Sequence, residues 1–152
     1  MAREIPPKYQ QRMPQELLSG LANTLLHDTI FEIVKGLKEI QDVAEKLMFQ
    51  TRVKLREKHQ VERQLFRQQV QSKPSMKMKE LLHRQKKDMK NYDMKVVMNM
   101  DQKVSDQQVM LEKAGVPGFY VTNNPPEIQL QMYILDFILK LSQMPLPTVA
   151  LE

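Results

Sequence analysis

Apolar residues along this chain recur at steps of three and four rather than two, which predicts helices throughout and no sheet. Leu17, Leu18, Leu21, Ala22, Leu25 and Leu26 give one apolar face to a short helix over about 14–26, with Pro14 suited to its first turn. A second helix is predicted from Asp28, a suitable N-cap, to about residue 71, since no proline interrupts it and Gly36 is its one glycine. Its first half carries a heptad seam of Ile33, Leu37, Ile40, Ala44, Leu47 and Thr51. Ile30, Phe31, Val34, Val43 and Met48 widen that seam, so several neighbours are expected to touch it. Beyond Thr51 large apolar residues thin to Leu55, Val61, Leu65 and Phe66.

Ser72-Lys73-Pro74-Ser75 reads as a turn, with Ser75 able to cap a third helix over about 76–113. Met78, Leu82, Gln85, Met89, Tyr92 and Val96 alternate by four and three. Met100 and Val104 then follow at steps of four, a stutter that locally unwinds a coiled coil. Two long helices joined by so short a connection are expected to pack antiparallel. Gly115 is placed as a left-handed C-cap, and Pro117 prevents continuation. Asn124-Pro125-Pro126-Glu127 starts a last helix over about 125–143: an N-cap residue, proline first, an acid third. That helix is apolar on nearly all sides. Ile128, Met132, Leu135 and Leu139 form one stripe and Ile134, Phe137, Ile138 and Leu141 another, so more than one element must cover it.

The expected architecture is therefore all-α: a single domain over 14–143, built on a long antiparallel helical hairpin. A short N-terminal helix and the apolar C-terminal helix pack at its base. Residues 1–13, with Pro6 and Pro7 among polar neighbours, read as a disordered lead, and 144–152 as a tail. Met1–Arg12 has no apolar signal-peptide core. The most hydrophobic stretch, Ile128–Leu141, is broken by Gln129, Gln131, Asp136 and Lys140, and suits a buried helix better than a membrane span. With no cysteine, neither disulfides nor thiolate metal sites can form, which fits an intracellular protein.

Two separated blocks resemble a known family. They are Phe31-Glu32-Ile33-Val34-Lys35-Gly36-Leu37-Lys38-Glu39-Ile40-Gln41 and Leu111-Glu112-Lys113-Ala114-Gly115-Val116-Pro117-Gly118-Phe119-Tyr120-Val121-Thr122. Their order and wording resemble the DiGeorge critical region / gonadal protein family, over roughly residues 21–142. The resemblance extends through Asp101–Gln108 and is weakest over 67–95. It implies helical, coiled-coil-bearing proteins without assigned enzymatic activity, found mainly in the nucleus and associated with other proteins. It supplies no catalytic residue.

Catalytic patterns are scarce in the residues themselves. Glu80-Leu-Leu-His83 has the spacing of a di-iron ligand pair, but a ferritin-like site needs that pair twice, with carboxylates from two further helices. His59-Gln-Val-Glu62 is its reverse. Both are expected to be polar spacing on solvated faces, and His27, next to Asp28, is expected to serve at a helix start. No Walker loop, nucleophile elbow, dinucleotide fingerprint or zincin motif occurs. No catalytic residue, cofactor or metal site is therefore assigned, and an enzyme is not expected.

Charge says more. Residues 52–90 hold thirteen Lys and Arg against four Asp and Glu, while the whole chain has a net charge of +5. In a hairpin this excess collects at a basic tip, represented by Arg56, Arg67, Lys73, Arg84, Lys86 and Lys87. Such a field attracts nucleic acid, an anionic membrane or an acidic protein. The plainer alternative is a face kept soluble by like charge, because no base-stacking aromatics accompany it. The methionine excess is assigned mainly to filling an irregular seam, but Met94 and Met98 cannot face the same partner helix as the rest, so an additional surface is expected. Phe119 and Tyr120 are expected to form a loop clasp that docks the last helix.

The expected function is a non-enzymatic coiled-coil scaffold or adaptor, oligomeric, in the nucleus more than the cytoplasm. Its partners are proteins, self or other, and its interaction seam is Ile33, Leu37, Ile40, Ala44 and Leu47 with Leu135, Ile138 and Leu139. A nucleic-acid-binding module using residues 52–90 is the alternative.

Overall fold

A computed structural model describes residues 5–26, 28–70 and 76–144, and every regular element among them is helical. In chain order they are α1 (Pro7–Gln10), α2 (Gln15–Thr24), α3 (Asp28–Gln69), α4 (Met76–Lys113) and α5 (Pro125–Ser142). The all-α expectation holds, and the four longer helices lie within about two residues of their predicted bounds. His27, Lys73, Pro74 and Ser75, and with them the predicted turn and cap, lie outside the described residues. The chain divides into two compact units: Met1–Glu39 with Val104–Glu152, and Ile40–Lys103. Both α3 and α4 contribute to each unit.

The first unit holds the main core. Leu21, Ile30, Val34, Leu111, Val116, Phe119, Ile134 and Ile138 are buried together, and Leu111, Ile134 and Ile138 are fully so. The same cluster includes Ile5, Tyr9 and Met13, so residues 5–13 of the expected disordered lead are instead packed on the core, while 1–4 lie outside the described residues. Pro6 and Pro7 start the short helix α1 rather than preventing structure, and the Tyr9 amide donates to the Pro6 carbonyl at 2.8 Å. Ile5, Tyr9 and Met13 all reach the core, and the Tyr9 ring lies 5.1 Å from that of Tyr133 on α5. The physical reason is the two-sided apolarity of α5, which needs a second cover. The lead supplies it.

Local signals explain the ends of α4 and α5. The Val116 amide donates to the Leu111 carbonyl and the Gly115 amide to that of Glu112, both at 3.0 Å, with Gly115 at φ +80°. This is a Schellman C-cap, and buried Leu111 and Val116 supply its apolar contact. At the start of α5, Pro125 and Glu127 stand as expected, but Asn124 makes no side-chain capping bond. The Thr122 hydroxyl instead ties the loop to the first turn: it accepts from the Asn124 amide at 3.1 Å and donates to Glu127 Oε2 at 2.9 Å.

Candidate interaction surfaces

In the second unit, hydrogen bonds define how α3 meets α4. The Tyr92 hydroxyl donates to the Met48 carbonyl at 2.7 Å. Arg52 grips Asp93 with two bonds, Nε to Oδ1 at 2.8 Å and Nη2 to Oδ2 at 3.0 Å. Gln85 Nε2 donates to the His59 carbonyl at 3.0 Å and to Glu62 Oε2 at 2.9 Å, and Arg84 pairs with Glu62. Partners rise in number along α3 as they fall along α4, so the two segments run antiparallel within this unit.

The α3 positions turned toward α4 are Met48, Arg52, Leu55, His59, Glu62 and Phe66, all at least half-buried. They lie one residue along from the predicted heptad seam. As a result Ile40 and Leu47 are 60% and 61% exposed, and Val43 is 68% exposed. Only Ala44 of the predicted seam in this unit is half-buried. The reason is polar: buried hydrogen-bonding groups cost free energy unless paired. In this register buried Gln85 and half-buried Tyr92 find their partners, and the more exposed Asp93 is gripped by Arg52. His59 is thus buried, with Nε2 3.6 Å from Asp88, and with Glu62 it belongs to the seam rather than to a solvated face. Gln85 retains one buried acceptor, Oε1, without a hydrogen-bond partner.

The other predicted seam residues lie in the first unit. Ile138 is buried, and Ile33, Leu37, Leu135 and Leu139 pack against the core cluster, so this group serves the chain's own interior. Of the clasp pair, Phe119 is in that core and Tyr120 is exposed. What fastens the loop is a glutamine network that sequence reasoning missed. Gln108 and Gln131 are buried. Gln108 Nε2 donates to the Thr122 carbonyl at 3.1 Å and to Gln131 Oε1 at 2.9 Å, while its Oε1 accepts from the Thr122 amide at 3.2 Å. Gln131 Nε2 donates to the carbonyls of Gly118 and Tyr120, at 3.2 and 3.1 Å. In both amides each N–H donates and the oxygen accepts. A missing partner would strand buried loop carbonyls, at a cost of about 1–3 kcal/mol. The only available signal was Gln131 interrupting an otherwise apolar face.

Electrostatics mark the same loop. The Tyr120 hydroxyl, and then that of Thr122, hold the Glu127 carboxyl below its ordinary pKa. The bond to Glu127 pushes the Tyr120 phenol above its own ordinary value. In the second unit the Arg52 fork lowers the pKa of Asp93.

Of the basic residues singled out, Arg56, Arg67, Lys86 and Lys87 are exposed, and Arg84 is engaged by Glu62. Lys73 lies outside the described residues. Glu80 and His83 are exposed, and no group of three or more His, Asp or Glu among the described residues could hold a metal ion. No described helix is long and apolar enough to cross a membrane.

One side of the second unit is an open groove of about 910 Å³ between α3 and α4. Leu82, Met89, Met94, Val97 and Met98 give it apolar lining, and Arg56, Arg63, Lys86 and Lys90 are also part of it. A neighbouring apolar hollow of about 430 Å³ includes Phe49, Val96, Val97 and Met100. Leu82, Met94, Val97 and Met98 are 44%, 55%, 58% and 69% exposed, the additional surface that the methionine spacing predicts.

These features define an all-α protein whose distinguishing surfaces, among the described residues, are helix faces and a groove. The chain belongs to the family described as DiGeorge syndrome critical region 6 (DGCR6) protein, whose profile matches residues 1–148. It is 40% identical over 145 residues to the gonadal protein gdl of Drosophila melanogaster, covering 93% of this chain and 74% of that protein. It is 39% identical over 158 residues to the protein DGCR6 of Gallus gallus, covering 94% of this chain and 79% of that one. The family resemblance carried by Phe31–Gln41 and Leu111–Thr122 is therefore correct. No solved structure matches the chain.

Proposed function

We propose that this chain is a non-enzymatic scaffold or adaptor that acts through helical surfaces and self-associates in solution. The observation that carries the reading is the stripe of Ile40, Val43 and Leu47 on α3, each at least 60% exposed and spaced by three and four. Large apolar side chains on one face cost free energy in water, and contact with a second helix removes that cost. Charges beside the stripe are mixed, with Lys35, Lys38 and Lys46 interspersed with Glu39, Asp42 and Glu45, so two copies can meet without like-charge repulsion. Light scattering of the purified chain tests it. The expected result is a mass above one chain at tens of micromolar, reduced to one chain by Val43→Glu with Leu47→Glu at unchanged helicity. A wild-type chain that stays monomeric over that range overturns self-association.

The exposed cations of residues 52–90 support a second reading, a nucleic-acid-binding module. It expects affinity for DNA or RNA that falls steeply with salt and drops when Lys86 and Lys87 are reversed to Glu. Absence of binding at low salt rejects it.

A further inference from the structure

The groove on the second unit differs from the α3 stripe in its charge. Its apolar residues follow helical steps: exposed Leu82 and Val97 with half-buried Met89 along one line, exposed Met94 and Met98 beside it. From Leu82 to Val97 they span about 22 Å of α4, the length of a four-turn helix laid alongside. Methionine suits such a contact, because its flexible, polarisable side chain adapts to the shape of a partner. Four cations, Arg56, Arg63, Lys86 and Lys90, belong to the lining. The one acid, Asp93, is already neutralised by the Arg52 fork.

We propose that this groove binds one amphipathic helix of a partner protein, apolar on one face and acidic along both borders. The apolar face covers the Leu82–Met98 line, and carboxylates meet the four cations. Charge selects this occupant over a second copy, since two such grooves face to face would bring eight like charges together. It also selects against nucleic acid: phosphates could use the cations, but the lining contains no Phe, Tyr or Trp on which bases could stack. The inference rests on the reading of this chain as an interaction protein and names the chemistry of one partner.

Fluorescence anisotropy of the full chain at physiological salt tests it with three labelled probes. They are a designed 16-residue helical peptide with leucines at helical steps and glutamates on the borders, the same composition scrambled to abolish the apolar face, and a 16-nucleotide single-stranded RNA. The first peptide is expected to bind about tenfold more tightly than the scramble. Lys86→Glu with Lys90→Glu is expected to weaken it about tenfold, and Met94→Glu with Met98→Glu by at least as much. All four positions are exposed, so circular dichroism should remain that of the wild type. Equal affinity for peptide and scramble, no binding of either, or binding of the RNA alone each overturns the proposal. A chain that self-associates yet ignores the peptide sinks this inference alone. A monomeric chain that binds the peptide sinks only the self-association.

Discussion

Glu127 carries the clearest single-residue consequence. Its carboxyl is held below its ordinary pKa by the hydroxyls of Tyr120 and Thr122, so ionised Glu127 favours the folded state. That contribution is present above the ordinary glutamate value, about 4.3, and is lost as pH falls through the lower folded value. Tyr120 has the opposite sign: its raised pKa contributes stability below the ordinary tyrosine value, about 10, which is lost as pH rises through the higher folded one. The loop before α5 should therefore be firmest between these limits. Urea denaturation midpoints measured from pH 3 to 7 should fall less steeply on the acid side in Glu127→Gln than in the wild type. An identical acid slope would mean that Glu127 lacks the bond. Sequence placed an acid at that position for its helix start, but could not identify Tyr120 and Thr122 as its donors, because the loop path decides which hydroxyl reaches it.

At the scale of elements, two glycines separate local from tertiary demands. Gly36 lies inside α3 with nothing within 4 Å of an added Cβ. Gly36→Ala should therefore raise stability by about 0.5–1 kcal/mol, by restricting the unfolded chain and favouring the helix. Gly118 has φ +83°, and an added Cβ would meet Ile134 Cδ1 at 3.0 Å and Leu17 Cδ1 at 3.4 Å. Gly118→Ala should destabilise by at least the roughly 1–2 kcal/mol of a left-handed non-glycine residue. Thermal melts followed at 222 nm would show opposite shifts for the two. Helix limits were legible because prolines and the Gly115 stop act over a few neighbours. α1 was not, since four residues carry no periodicity and its stabilising contact is Tyr133, far along the chain.

Across the molecule, burial divides apolar residues that looked alike in sequence. Ile138 and Ile40 both occupy predicted seam positions, yet Ile138 is fully buried and Ile40 is 60% exposed. Ile138→Ala should cost about 2–5 kcal/mol in urea unfolding, the usual result of opening a core cavity. Ile40→Ala should cost less than about 0.5 kcal/mol in a monomer, where it is a surface change. A larger loss that grows with protein concentration would add to the case for self-association. The sequence by itself determined the helical class, the limits of the four long helices, the Gly115 stop and the family, because propensity, caps and motif order are local or linear properties. Tertiary structure alone decided which helix face is covered. The α3–α4 register in the second unit follows the pairing of Arg52, Glu62, Gln85, Tyr92 and Asp93. A heptad of apolar residues cannot reveal that pairing, since each group's cost depends on whether a partner stands opposite. That choice turned Ile40, Val43 and Leu47 outward, and left the groove beside Met94 and Met98 open.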